Sequence, residues 1–255
     1  MTRPVFQNPH LDGRSFYFSG NTNGVLLLHG FTATTLEVRP LGEYFHSNGY
    51  SVLAPLLPGH GTQPEDMFKI HWRHWAVAAE NAYLELKQTC SRVMVAGESM
   101  GGLLSLYLAS KFPEISGVLL LAPAIKISGI WKACWLAPFI KIKPKEYLRD
   151  EDESVDESMP WQGYNVLPLP GVCQLSKLQK QILKILPTIF QPILILQGEK
   201  DKTINPQGAR LIYEMVGSKD KQLIFLSNSG HCVALDRDLP KVKTMSVEFL
   251  QRILS

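Results

Sequence analysis

Cysteine is sparse: Cys90, Cys134, Cys173 and Cys232 are scattered through 255 residues without a Cys-x-x-Cys pair. That spacing argues against a zinc knuckle or a dense disulfide framework and makes reduced thiols the expectation. Charge of one sign is scarce too. Twenty-six basic residues against 23 acidic ones leave +3, with no basic block of the kind that tracks a phosphate backbone, so nucleic acid is not an expected partner. Long apolar runs are missing. The most hydrophobic stretch, residues 125–142, is broken by Lys126, Lys132, Pro138 and Lys141 and falls short of the roughly 20 apolar residues of a membrane span, so no stable membrane insertion is expected. Residues 1–12 contain Pro4 and Pro9 and no apolar run behind a basic head, so no secretory signal is read and the expected location is cytoplasmic. There is no internal repeat, low-complexity tract or coiled coil, and nothing specifies an oligomeric partner.

What is present is enough apolar residue, 45% of the chain, for one large core, read as a single domain over 1–255. Short Val- and Leu-rich runs at residues 24–30, 92–98, 117–124, 192–199 and 222–229 are bounded by glycine, proline or polar residues, as strands buried on both faces of a parallel sheet are. Residues 50–56 supply a sixth. Segments of helical periodicity alternate with them: 35–48, with Thr34 and Glu37 as a capping box, then 72–88, 100–112, 208–215 and 239–254. The alternation predicts an open, mostly parallel α/β sheet flanked by helices.

Residues 125–190 break the rhythm and are read as a cap inserted above the sheet. Its aromatic residues, Trp131, Trp135, Phe139, Tyr147, Trp161 and Tyr164, either form a small satellite core or line an apolar pocket, and Trp131, Trp135, Phe139 and Trp161 are the pocket candidates. The acidic run Asp150, Glu151, Asp152, Glu153, Asp156 and Glu157 lacks an EF-hand pattern and reads as a solvated loop. No metal or cofactor is expected.

The chemistry concentrates at Gly97-Glu98-Ser99-Met100-Gly101, a G-x-S-x-G directly between a strand and a helix. A serine on that turn projects its hydroxyl from the sheet, and the flanking glycines remove side chains that would collide at the bend. A protonated hydroxyl is a weak nucleophile and needs an imidazole to take its proton. His231 is the candidate, in a small-residue loop after the last strand. Its orienting acid is Asp201, at the end of the strand 192–199; Glu199 and Asp236 are the rivals. The order Ser99, Asp201, His231 matches one of the known serine-nucleophile arrangements. Two backbone N–H groups, those of Phe31 and Met100, are assigned to the developing oxyanion. Phe31 also serves as a pocket wall, and His29 is read as fixing its loop.

His29-Gly-Phe-Thr32, Leu57-Pro-Gly-His-Gly61, Gly97-Glu-Ser-Met-Gly-Gly102, Gly198-Glu-Lys-Asp201 and Ser229-Gly-His231 resemble the landmarks of an α/β-hydrolase. More narrowly, the chain is similar to bacterial carboxylesterases and monoacylglycerol lipases. The resemblance implies a Ser99/Asp201/His231 triad, oxyanion donors at Phe31 and Met100, no cofactor, and a serine carboxylesterase acting on short- to medium-chain acyl esters or on monoacylglycerols. A lipase working at lipid surfaces and a non-catalytic small-molecule binder of the same fold are the alternatives.

Overall fold

The computed structural model describes residues 5–145 and 161–254. In chain order its first half comprises β1 (Phe6–Gln7), β2 (Phe16–Phe18), β3 (Asn23–Leu28), α1 (Arg39–Ser47), β4 (Ser51–Ala54), α2 (Trp72–Lys87), β5 (Arg92–Glu98), α3 (Met100–Lys111) and β6 (Gly117–Leu121). The second half comprises α4 (Ile130–Leu136), β7 (Ile142–Pro144), β8 (Gly163–Tyr164), β9 (Val166–Pro168), α5 (Leu169–Ile185), β10 (Ile193–Gly198), α6 (Gln207–Met215), β11 (Lys221–Leu226) and α7 (Leu239–Leu254).

Seven strands form the central sheet in the order β11-β10-β6-β5-β3-β4-β2. All six strands expected from the sequence are present and pair in parallel. The seventh, β2, was not anticipated; it closes one edge antiparallel to β4. Successive side chains of a strand point to opposite faces, and here both faces are apolar. Leu26 and Leu28 of β3, Val93 and Val95 of β5 and Ile193 and Ile195 of β10 enter one core with residues of α2, α3 and α6. Val25, Leu27, Met94, Ala96, Leu194 and Leu196 enter a second with residues of α1 and α7. That two-sided burial is why the strands read as continuous Val/Leu runs. The run 222–229 departs from this: β11 is an edge strand, mostly half-buried.

One local expectation is corrected. Thr34 and Glu37 do not form a capping box, since Thr34 makes no side-chain cap bond and instead donates from its hydroxyl to Gln162 Oε1. The Glu37 carboxylate turns inward. Within 125–190, α5 is packed into the core. Val172, Leu175, Gln179 and Ile182 share a buried stripe along α5 at helical spacing, and Leu175, Leu178 and Ile182 join the core with α2 and α3. The acidic run from Asp150 to Glu157, and Tyr147, lie outside the described residues.

Candidate active site

β5 ends at the centre of the sheet, and the chain reverses into α3 through Ser99, whose φ of 54° and ψ of −110° are rare for a side-chain-bearing residue. The turn is tight enough to dictate its neighbours. A Cβ on Gly97 would lie 2.2 Å from the Gly101 carbonyl carbon, and one on Gly101 would lie 1.9 Å from the Leu28 oxygen. Both contacts are impossible, so the glycines of G-x-S-x-G are steric requirements here. Ser99 N–H donates to Leu121 O at 2.8 Å, and its carbonyl accepts from Ala124 N–H at 3.2 Å. The turn is thereby anchored to the end of β6.

The loops after β10 and β11 converge on this point. His231 Nε2 lies 3.0 Å from Ser99 Oγ, and His231 Nδ1 lies 2.8 Å from Asp201 Oδ2. Asp201 is fully committed: Oδ1 accepts from Thr203 and Ile204 N–H, and Oδ2 also accepts from Gln197 Nε2. Burial by itself would raise its pKa, but the imidazole and these donors outweigh it and hold the carboxyl below its ordinary value. The rival acids are elsewhere. Glu199 is exposed, and Asp236 accepts from Gly230 and Arg237 N–H, shaping the His231 loop.

Phe31 sits in the turn after β3. As first residue of α3, Met100 has no intrahelical acceptor for its N–H, and among the described residues the Phe31 N–H donates to no other group. His29 fixes that turn from below. Its Nδ1 lies 2.9 Å from Gly30 O, while Nε2 accepts from Leu57 N–H at 3.0 Å, an arrangement that requires the neutral ring with its proton on Nδ1. Burial lowers the His29 pKa to about 4. Because this lies below the unfolded value of about 6.5, the His29 contribution to stability is full above that pH and is lost as pH falls toward 4, amounting to about 3 kcal/mol. Urea unfolding of a His29→Asn protein should therefore show lower stability than wild type at pH 7 and a correspondingly weaker decline between pH 6.5 and 4; parallel profiles would contradict this.

The pocket candidates separate into two groups. Phe31 packs edge-on against His60 and Trp75, with ring centres 6.1 and 5.9 Å away, and against a small cluster of Ala137, Leu169 and Val172 with Ile130, Ala133, Leu136 and Cys173. Trp161 is half-buried, with its indole N–H on Glu37. Trp131, Trp135 and Phe139, also named as pocket candidates, are by contrast 66%, 71% and 81% exposed on the surface of the inserted segment. On α4 residues 131 and 135 share the outer face, leaving Ile130, Ala133 and Ala137 to meet α5. Sequence reasoning also missed two buried carboxylates. Glu98 is fully buried and accepts from Val233 and Ala234 N–H at 3.1 and 3.3 Å, pinning the loop that carries His231. Glu37 accepts from Gly30 N–H. Burial drives both carboxyls above the usual range, Glu98 strongly, where the neighbouring Glu37 adds to the effect. Glu98 is adjacent to Ser99 in sequence, but backbone partners leave no sequence signal. Among the described residues no group of three or more His, Cys, Asp or Glu converges as metal ligands would, and no helix is long and apolar enough to cross a membrane.

Residues 21–238 match the family model described as serine aminopeptidase, S33. The chain belongs to this family of α/β-hydrolases. Within it, the hydrolase is similar to the thermostable monoacylglycerol lipase of Bacillus sp. (strain H-257), 34% identical over 96% of this chain and 98% of the lipase. It is likewise similar to the carboxylesterase of Bacillus subtilis (strain 168), 31% identical over 94% and 97%. A solved structure from work on two metagenome-derived lipolytic enzymes, LipS and LipT, superposes with a TM-score of 0.87 at 30% identity, covering 94% of this chain and 98% of the other. The hydrolase is thus of the serine-hydrolase type, related to bacterial carboxylesterases and lipases.

Proposed function

We propose that the hydrolase cleaves short- to medium-chain carboxylic esters through an acyl-enzyme on Ser99. The observation that carries this reading is the unbroken relay from Ser99 Oγ to His231 Nε2 and from His231 Nδ1 to Asp201, at 3.0 and 2.8 Å. Ser99 Oγ attacks the ester carbonyl carbon while His231 takes its proton. The Phe31 and Met100 N–H groups receive the oxyanion. Collapse breaks the bond to the alkoxy oxygen, and His231 returns the proton to the departing alcohol. Water then repeats the sequence on the acyl group, releasing the acid and restoring the serine. Asp201 keeps the imidazole proton on Nδ1 and stabilises the imidazolium throughout.

The apolar cluster that Phe31 forms with Ile130, Ala133, Leu169 and Val172 of the inserted segment supports an acyl site beside Phe31, and we expect preference for chains below about twelve carbons. Monoacylglycerol at a lipid surface is the second reading, favoured by the exposed Trp131, Trp135, Phe139 and Ile140 beside exposed Lys132, Lys141 and Lys143. A panel that varies acyl length at fixed alcohol, and then alcohol at fixed acyl group, tests both. Highest kcat/KM on dissolved butyrate to decanoate esters supports the first reading; a sharp rise when monoacylglycerol aggregates supports the second. Peak efficiency on long-chain triacylglycerol, or on peptide substrates, would contradict both.

A further inference from the structure

Behind the serine and its oxyanion donors lies a buried layer of charged side chains that take no part in the bond-breaking steps. Glu37 is its hub. Only 3% exposed, its Oε2 accepts from Gly30 N–H at 2.5 Å, and its Oε1 accepts from Trp161 Nε1 at 3.2 Å and faces Cys232 Sγ at 3.8 Å. These partners belong to three separate segments: the turn that carries Phe31, the inserted segment, and the loop that carries His231. Lys145, also buried, donates to Thr32 Oγ1 at 2.6 Å and lies 4.8 Å from the centre of the Trp161 ring. Its ammonium and the Glu37 carboxylate attract one another across this layer.

Geometry connects this hub to the oxyanion. In a trans peptide the carbonyl of residue 30 and the N–H of residue 31 point in opposite directions. Gly30 O is held by His29 Nδ1 and Gly30 N–H by Glu37, so both ends of the glycine are fixed and the direction of the Phe31 N–H is set. A Cβ on Gly30 would fall 2.9 Å from Glu37 Oε2 and 3.3 Å from Ser99 Cβ. Glu37 and Ser99 therefore flank the same residue. A carboxylate in so dry a place is costly unless donors converge on it, and here a backbone amide and an indole N–H do so.

We infer that Glu37 is a positioning residue for ester hydrolysis, holding Gly30 so that the Phe31 N–H meets the oxyanion and tying that turn to the His231 loop and the inserted segment. The inference rests on the reading of Ser99 as the esterase nucleophile. It makes Glu37 matter more to the transition state than to substrate binding.

The test measures kcat per active site, counted by fluorophosphonate labelling of Ser99, and affinity for an alkyl trifluoromethyl ketone, whose hemiketal places an oxyanion at the same position. Glu37→Gln keeps an acceptor for Gly30 and should lower kcat per labelled site about 10-fold; Glu37→Ala should lower it about 100-fold. KM should stay within about twofold, with ketone affinity falling by the same factors as kcat. Trp161→Phe, which removes one donor while keeping an aromatic ring, should give a fall of about threefold and carries the test if Glu37→Ala does not fold. Wild-type kcat per labelled site and ketone affinity in Glu37→Gln and Trp161→Phe would overturn the inference. So would losses confined to melting temperature and labelled fraction, which a purely structural role produces. A wild-type protein that turns over esters without labelling at Ser99 would instead bring down the nucleophile assignment, and this inference with it.

Discussion

Ser99→Ala should fold as the wild type does and hydrolyse p-nitrophenyl butyrate with kcat lowered by about 10⁶-fold, the scale seen when a serine protease loses its nucleophile. The geometry makes this a clean substitution. Only an oxygen atom is removed from a residue whose backbone is held by Leu121 and Ala124, and alanine meets the same left-handed φ of 54° that serine already tolerates. Folding is checked by circular dichroism and melting temperature, and turnover by p-nitrophenolate release in the same preparation. Turnover within tenfold of wild type by the folded variant would show that another group attacks the ester.

The second large effect belongs to Asp201→Asn, expected to lower kcat by about 10⁴-fold, as in the chymotrypsin-like enzymes where the same change was made. Asp201 Oδ1 accepts two backbone N–H groups, which fixes the oxygen of the asparagine at that position. The amide nitrogen must then replace Oδ2, where it faces both Gln197 Nε2 and His231 Nδ1. Donor would meet donor. The imidazole escapes by moving its proton to Nε2, which then points an N–H at Ser99 Oγ and can no longer accept the serine proton. A kcat within about tenfold of wild type would show that Asp201 does not set the tautomer. A Glu199→Gln variant should be unaffected, because that side chain lies at the surface.

The residues of this relay were legible because each follows an apolar strand: β5 and β10 are buried on both faces, which concentrates Val, Ile and Leu, and the edge strand β11 still keeps a short Leu-Ile-Phe-Leu run. Ser99, Asp201 and His231 stand just beyond β5, β10 and β11, and loops at the carboxyl ends of parallel strands meet on one side of the sheet. The unexpected parts have the opposite character. β2 has three residues, and the small pairs β1–β8 and β7–β9 have two or three, with Phe6 paired to Tyr164 across most of the chain. Pairings so short and so distant leave no periodicity to read. The buried roles of Glu98 and Glu37 went unread for a related reason: Glu98 is held by the main-chain N–H groups of Val233 and Ala234, which every sequence possesses, and Glu37 by that of Gly30 and by the distant side chains of Trp161 and Cys232. Within the insertion the sequence offered Trp131 and Trp135 as pocket candidates without assigning a helix there, and only the packing of α4 against α5 puts Ala133 inside and Trp131 and Trp135 outside.

The account turns on a covalent bond between substrate and Ser99 Oγ, and mass spectrometry reads that bond directly. Wild-type protein mixed with p-nitrophenyl butyrate and acid-quenched within the first turnover should gain the mass of one butyryl group, located after proteolysis on the peptide containing Ser99. Labelling of a different residue, or full turnover with the hydroxyl of Ser99 unmodified at every quench time, would contradict it.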